Sequence, residues 1–73
     1  MAVSYNRLWK LLIDKNISKA ELRRLTGISP NTMTKMNQNE EVALKVLLKI
    51  CGALSVDVGD IIEYVGKDNV GDF

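Results

Sequence analysis

Apolar positions recur along this chain with the period of a helix. Tyr5, Leu8, Trp9 and Leu12 fall at i, i+3, i+4 and i+7, with Ile13 beside them, a spacing that gathers side chains on one helical face. A first helix is predicted from Ser4 to Lys15, closed at Asn16 by a left-handed residue. Within ISKAELRRLTG, Ser18 and Glu21 have the spacing of a capping box, and Ile17 and Leu22 that of a hydrophobic staple. Ala20, Leu22 and Leu25 supply apolar contacts and Gly27 stops the chain, so a second, short helix is predicted over Lys19 to Thr26. In GISPNTMTK, Ser29 suits an N-cap and Pro30 the first helical position, where a missing N–H costs nothing. A third short helix follows from Pro30 to Asn37, with Met33 and Met36 inward and the polar residues elsewhere. Leu44, Leu47, Leu48 and Cys51 repeat the spacing for a fourth helix from Ala43 to Ala53, flanked by Ile50 and Leu54. Asp57 and Asp60 form a capping pattern for a last helix, Val58 to Tyr64. GKDNVGDF at the end has no periodicity. The expectation is an all-α domain over residues 1–66 and a polar tail over 67–73.

Composition narrows this picture without changing it. Seventy-three residues make one small domain, near the lower limit for a self-sufficient core. Aromatics are only 5% of the chain, so the core must come from Leu, Ile, Val and Met, which suits packed helices. One cysteine cannot form a disulfide within the chain, and with no histidine there is no plausible zinc set. Cys51 lies on the leucine face with no adjacent base to activate it. No run approaches the roughly 18 apolar residues of a membrane span, and MAVSYNRLWK has no signal-peptide apolar region. A cytoplasmic protein with no cofactor, metal or small-molecule ligand is expected.

Charge changes the picture more. The chain as a whole carries a formal +1, but up to Lys49 nine basic residues face four acidic ones, and from Ile50 onward Lys67 alone opposes five acidic ones. A front of +5 and an end of −4 suggest an anionic partner for the front; an ordinary charged surface is the plain alternative.

Two short helices joined by a glycine-containing turn form a helix-turn-helix element. Its first helix braces, its turn needs a residue that tolerates positive φ, and its second helix presents its N-terminal end to the major groove. With ISKAEL, LTGIS, the polar helix NTMTKM and the downstream LKVLLKICGALSVDVGDII, the chain resembles the Cro/cI-type, lambda-repressor-like helix-turn-helix family over about Tyr5 to Val65. The resemblance implies a compact bundle of five helices in which the second and third read double-stranded DNA. It also implies a stand-alone transcriptional regulator of the kind common in bacteria and their mobile elements.

Carried over position by position, it assigns base reading to Ser29, Asn31, Thr32 and Lys35. Asparagine can pair with adenine, lysine can donate to guanine, and a threonine methyl can touch a thymine methyl. Backbone contact falls to Lys19, Arg23, Arg24, Thr34, Gln38 and Asn39. Three residues depart from the family pattern. Glu40 and Glu41 put negative charge in a turn that would approach phosphate. Arg23 stands where a small residue is usual and fits only with its stem packed and its guanidinium released. Ala43 replaces a common capping serine, at a cost of about 1 kcal/mol.

A module this small makes few base contacts, so tight binding calls for two copies on half-sites about one helical turn apart. Ile61, Ile62, Tyr64 and Val65 either close the core or form the contact between two copies. Catalysis finds no support: there is no histidine, no nucleophile with a base, and no glycine-rich phosphate loop. The competing function is a protein-interaction module, antitoxin-like or adaptor-like, which Glu40, Glu41 and the acidic C-terminal face would favour.

Overall fold

The computed structural model describes residues 3–66. Four α-helices follow one another: α1 Asn6–Lys15, α2 Lys19–Thr26, α3 Pro30–Asn37 and α4 Leu44–Leu54. A 3-10 turn, Val58–Asp60, comes next. Two short strands, β1 Val3–Ser4 and β2 Glu63–Tyr64, pair antiparallel with Val3 opposite Tyr64 and Ser4 opposite Glu63. The expected polar tail lies outside the described residues.

α2 and α3 have the predicted bounds because their ends carry their own instructions. The Ser18 hydroxyl accepts the Glu21 N–H at 3.0 Å, and Gly27 ends α2 at φ +74° with its N–H on the Arg23 carbonyl. Only half of the capping box forms: the Glu21 carboxylate lies 3.7 Å from Arg24 Nη2 instead of reaching back. Ser29 caps α3 through the Thr32 N–H at 3.1 Å, with Pro30 at the first helical position. α4 has no side-chain cap at Ala43 and closes on a left-handed Ser55.

Five helices in an all-α chain is a count the structure corrects. Where a fifth helix was expected, a single 3-10 turn is followed by a strand. The Asp60 carboxylate accepts the Asp57 N–H at 3.0 Å, so the cap does start a turn. The turn does not continue, because β-branched Ile61 and Ile62 resist helix and the next two residues find ladder partners in Val3 and Ser4. The same pairing draws Ser4 out of α1, which begins at Asn6.

The core joins Tyr5, Leu8 and Leu12 of the N-terminal region to Leu22, Ile28, Met33 and Met36, and to Leu47, Ile50, Leu54 and Ile61. Both methionines point inward, as their spacing requires. In α4 the buried stripe is Leu47, Ile50 and Leu54, whereas Leu44 and Leu48 are 61% and 55% exposed. The apolar positions of this helix cover more than one face, and packing against its neighbours selects one of them. Leu25 is likewise turned outward. Cys51 is half-buried; its surroundings push the thiol pKa up, first by desolvation and then through Asp57 and Asp60. No helix among the described residues is long and apolar enough to cross a membrane.

Candidate nucleic-acid interface

Ile28 is the inward anchor of the turn between α2 and α3. With Gly27 in the left-handed region before it and Ser29 extended after it, the chain changes direction within three residues. On α3, burial of Met33 and Met36 leaves Asn31, Thr34, Lys35 and Gln38 within one arc of the opposite face, by the 100° step of a helix. All four are exposed.

Not all of them are equally available. Asn31 and Lys35, one turn apart, make no side-chain hydrogen bond or ion pair among the described residues. The Thr34 hydroxyl donates to the Pro30 carbonyl at 3.0 Å, so its proton stays within the helix. Ser29 is committed to capping: its oxygen takes the Thr32 N–H and its own proton goes to Thr32 Oγ1 at 3.0 Å. The Thr32 hydroxyl proton remains free to donate. Of the residues expected to read bases, Asn31, Thr32 and Lys35 keep uncommitted polar groups, while Ser29 is used within the helix.

The residues expected to contact the DNA backbone divide in the same way. Lys19 opens α2 with its ammonium 4.1 Å from the centre of the Trp9 ring and 2.8 Å from Asn37 Oδ1. Arg24 is open to solvent, with Glu21 as a loose partner at 3.7 Å. Arg23 is partly buried, and its Nε has no hydrogen-bond partner among the described residues. This fits a packed stem, and it leaves a polar atom whose desolvation is uncompensated. Gln38 is exposed at the C-terminal end of α3, its N–H shared between the Thr34 and Lys35 carbonyls.

Asn39 is half turned inward. In the left-handed region at φ 58°, it accepts the Tyr5 N–H on Oδ1 at 3.2 Å. The Tyr5 hydroxyl donates to the Glu40 carbonyl at 2.7 Å. The turn that carries the two glutamates is thus fastened to the start of α1. Burial raises the Tyr5 pKa, the Glu41 charge raises it further, and a backbone hydrogen bond from Val42 works against both.

The family model for the Cro/C1-type HTH DNA-binding domain matches residues 7–67. The chain belongs to that family. Among solved structures, the Cro/C1-type fold here is similar to that of "transcriptional regulator VanUg", with a TM-score of 0.86 and 55% sequence identity over 88% of this chain and 85% of that one. No curated protein matches it. The match spans α1 to α4 and β2, so the strand that replaces the expected fifth helix lies within the Cro/C1-type domain.

At the C-terminal end, Ile61 is fully buried. It closes the core of the single chain. Ile62 and Val65 are half-buried and Tyr64 is 68% exposed. Two arrangements had no sequence signal at all. One is the Trp9–Lys19–Asn37 cluster, whose members sit on three helices. The other is Arg7, whose guanidinium donates to the Gly59 carbonyl at 2.8 Å and lies 3.8 Å from Glu63. The latter ties one positive charge of the basic front loosely to the C-terminal strand.

Proposed function

We propose that this chain is a sequence-specific DNA-binding transcriptional regulator, repressor-like, that lays α3 in the major groove of double-stranded DNA. The observation that carries the reading is the pair Asn31 and Lys35: exposed, one turn apart near the start of a capped helix, and uncommitted among the described residues. Asn31 faces an adenine, Lys35 a guanine, and Thr32 supplies a hydroxyl proton and a methyl group. Lys19, Arg23 and Arg24 meet phosphates from the bracing helix, while Gln38 and the amide of Asn39 meet them at the far end of α3. Similarity to a transcriptional regulator at 55% identity supports the same role. Residues 1–66 form the binding unit, acting in the cytoplasm as a homodimer on two half-sites about one helical turn apart. Ile62, Tyr64 and Val65 contribute to the contact between copies.

Selection from random duplexes tests this directly. The expected result is an enriched two-fold-symmetric sequence bound by two chains, with affinity falling steeply as salt rises. In Asn31→Ala and Lys35→Ala, affinity for that sequence should fall about 10- to 100-fold while non-specific binding stays nearly constant. A pool that enriches no sequence would sink the reading. It would favour a protein-interaction module, for which the exposed Leu25, Leu44 and Leu48 and the acidic pair Glu40–Glu41 are the relevant features.

A further inference from the structure

Trp9 plays no part in reading bases, yet it touches a residue that the proposed function needs. Its ring lies under the Lys19 ammonium at 4.1 Å, well inside the distance at which the ring quadrupole attracts a cation. Asn37 Oδ1 accepts from the same ammonium at 2.8 Å. The ring itself is flanked by the Tyr5 ring, whose centre lies 6.5 Å away at 51°. α1 and α3 therefore each give one group to a single charge carried by α2. That charge remains unneutralised, since Lys19 has no acidic partner among the described residues and stays exposed.

We infer that Trp9 and Asn37 are positioning residues for a DNA-backbone contact made by Lys19, an inference that rests on the DNA-binding reading above. A lysine side chain free in water loses much rotational freedom when it grips a phosphate. Here the ring and the amide restrict it before DNA arrives. An ammonium has three protons, so one hydrogen bond to Asn37 leaves donors for a phosphate oxygen. Because Asn37 ends α3 and Lys19 opens α2, the grip also fixes the phosphate relative to the helix that reads bases.

The test uses the full chain on a duplex obtained by selection, with affinity measured across a salt series. Lys19→Met should reduce the salt slope by about one phosphate contact. Trp9→Leu and Asn37→Ala should each weaken binding about two- to five-fold, the size of an exposed cation–π contact, and Trp9→Phe should recover part of the loss. In the Lys19→Met background, neither Trp9→Leu nor Asn37→Ala should cost anything more. Trp9 is the only tryptophan, so Lys19→Met should also change the emission of the free protein. If Trp9→Leu loses the same factor in both backgrounds, the ring only packs and the inference is overturned. Asn37→Ala guards against a folding artefact, because that side chain is exposed; wild-type affinity in this variant would overturn the inference as well. If Asn31→Ala and Lys35→Ala behave as proposed but Lys19→Met binds normally, the positioning role fails alone. If the wild type enriches no duplex, the DNA-binding reading fails and takes this inference with it.

Discussion

The α2–turn–α3 unit and the N-terminal frame that supports it are held by different kinds of contact. In the unit, each helix end is satisfied from within a few residues: Ser18 to Glu21, Gly27 to Arg23, Ser29 to Thr32. In the frame, the partners are distant in the chain. Val3 and Ser4 pair with Tyr64 and Glu63, the Tyr5 backbone and hydroxyl reach Asn39 and Glu40, and Arg7 reaches Gly59 and Glu63. Local contacts form at little loop-closure cost, while distant ones form only when the whole chain closes. The difference implies that the reading unit owes its shape to its own sequence and its stability to the frame.

Breaking the frame should therefore have the largest effect. Tyr5→Ala removes a fully buried ring and its hydroxyl tie to the Glu40 carbonyl, and should cost about 3–5 kcal/mol, measured by urea unfolding. In a domain of this size that approaches the whole stability. A milder version separates ring from hydroxyl: Tyr5→Phe leaves the Glu40 carbonyl without its donor, at about 1–2 kcal/mol.

The same hydroxyl sets a pH dependence. Its pKa is raised in the folded chain above the ordinary 10.0. The stabilisation it confers is fully present below pH 10.0 and is lost as pH rises through the folded value. Wild type should thus lose stability in alkaline solution relative to Tyr5→Phe, and equal losses in the two proteins would refute the assignment.

Within the reading unit the effects should be smaller and local. Ser29→Ala removes the α3 cap and should cost about 1 kcal/mol, visible as a lowered thermal midpoint together with faster amide exchange at Asn31 and Thr32. At the end of the scale, Asn31→Ala and Lys35→Ala should change stability by no more than about 0.5 kcal/mol, because neither side chain has a partner among the described residues. Their effect belongs to DNA affinity. If either variant destabilised the chain as much as Ser29→Ala, the face would be structural and the contrast between unit and frame would collapse.

The two regions also differed in how far they could be read in advance. α2 and α3 run over the expected residues because Ser18, Gly27, Ser29 and Pro30 act at short range, where residue type decides the outcome. The C-terminal segment carried a sound helix-start signal in Asp57 and Asp60, but β-branched residues followed, and strand partners far back in the chain, Val3 and Ser4 of β1, ended the turn. In α4, the heptad-like leucines fitted two overlapping stripes, and neither the period nor the composition ranks one above the other. Among the expected contacts to DNA, Ser29 and Thr34 proved to have their hydroxyl protons engaged within α3. A list of residue types does not contain that kind of commitment.

Sequence alone determined the helix-turn-helix: its bounds, its turn at Gly27, the inward methionines, and the polar face that begins at Asn31. These follow from caps and period, which act within about one helical turn. Tertiary structure alone decided the pairing of Val3–Ser4 with Glu63–Tyr64, which leucines of α4 are covered, the inward use of Asn39, and the meeting of Trp9, Lys19 and Asn37. Each of those depends on groups brought together from separate elements, and the distances between such groups exist only after the core around Tyr5, Leu22, Met36 and Ile50 has closed.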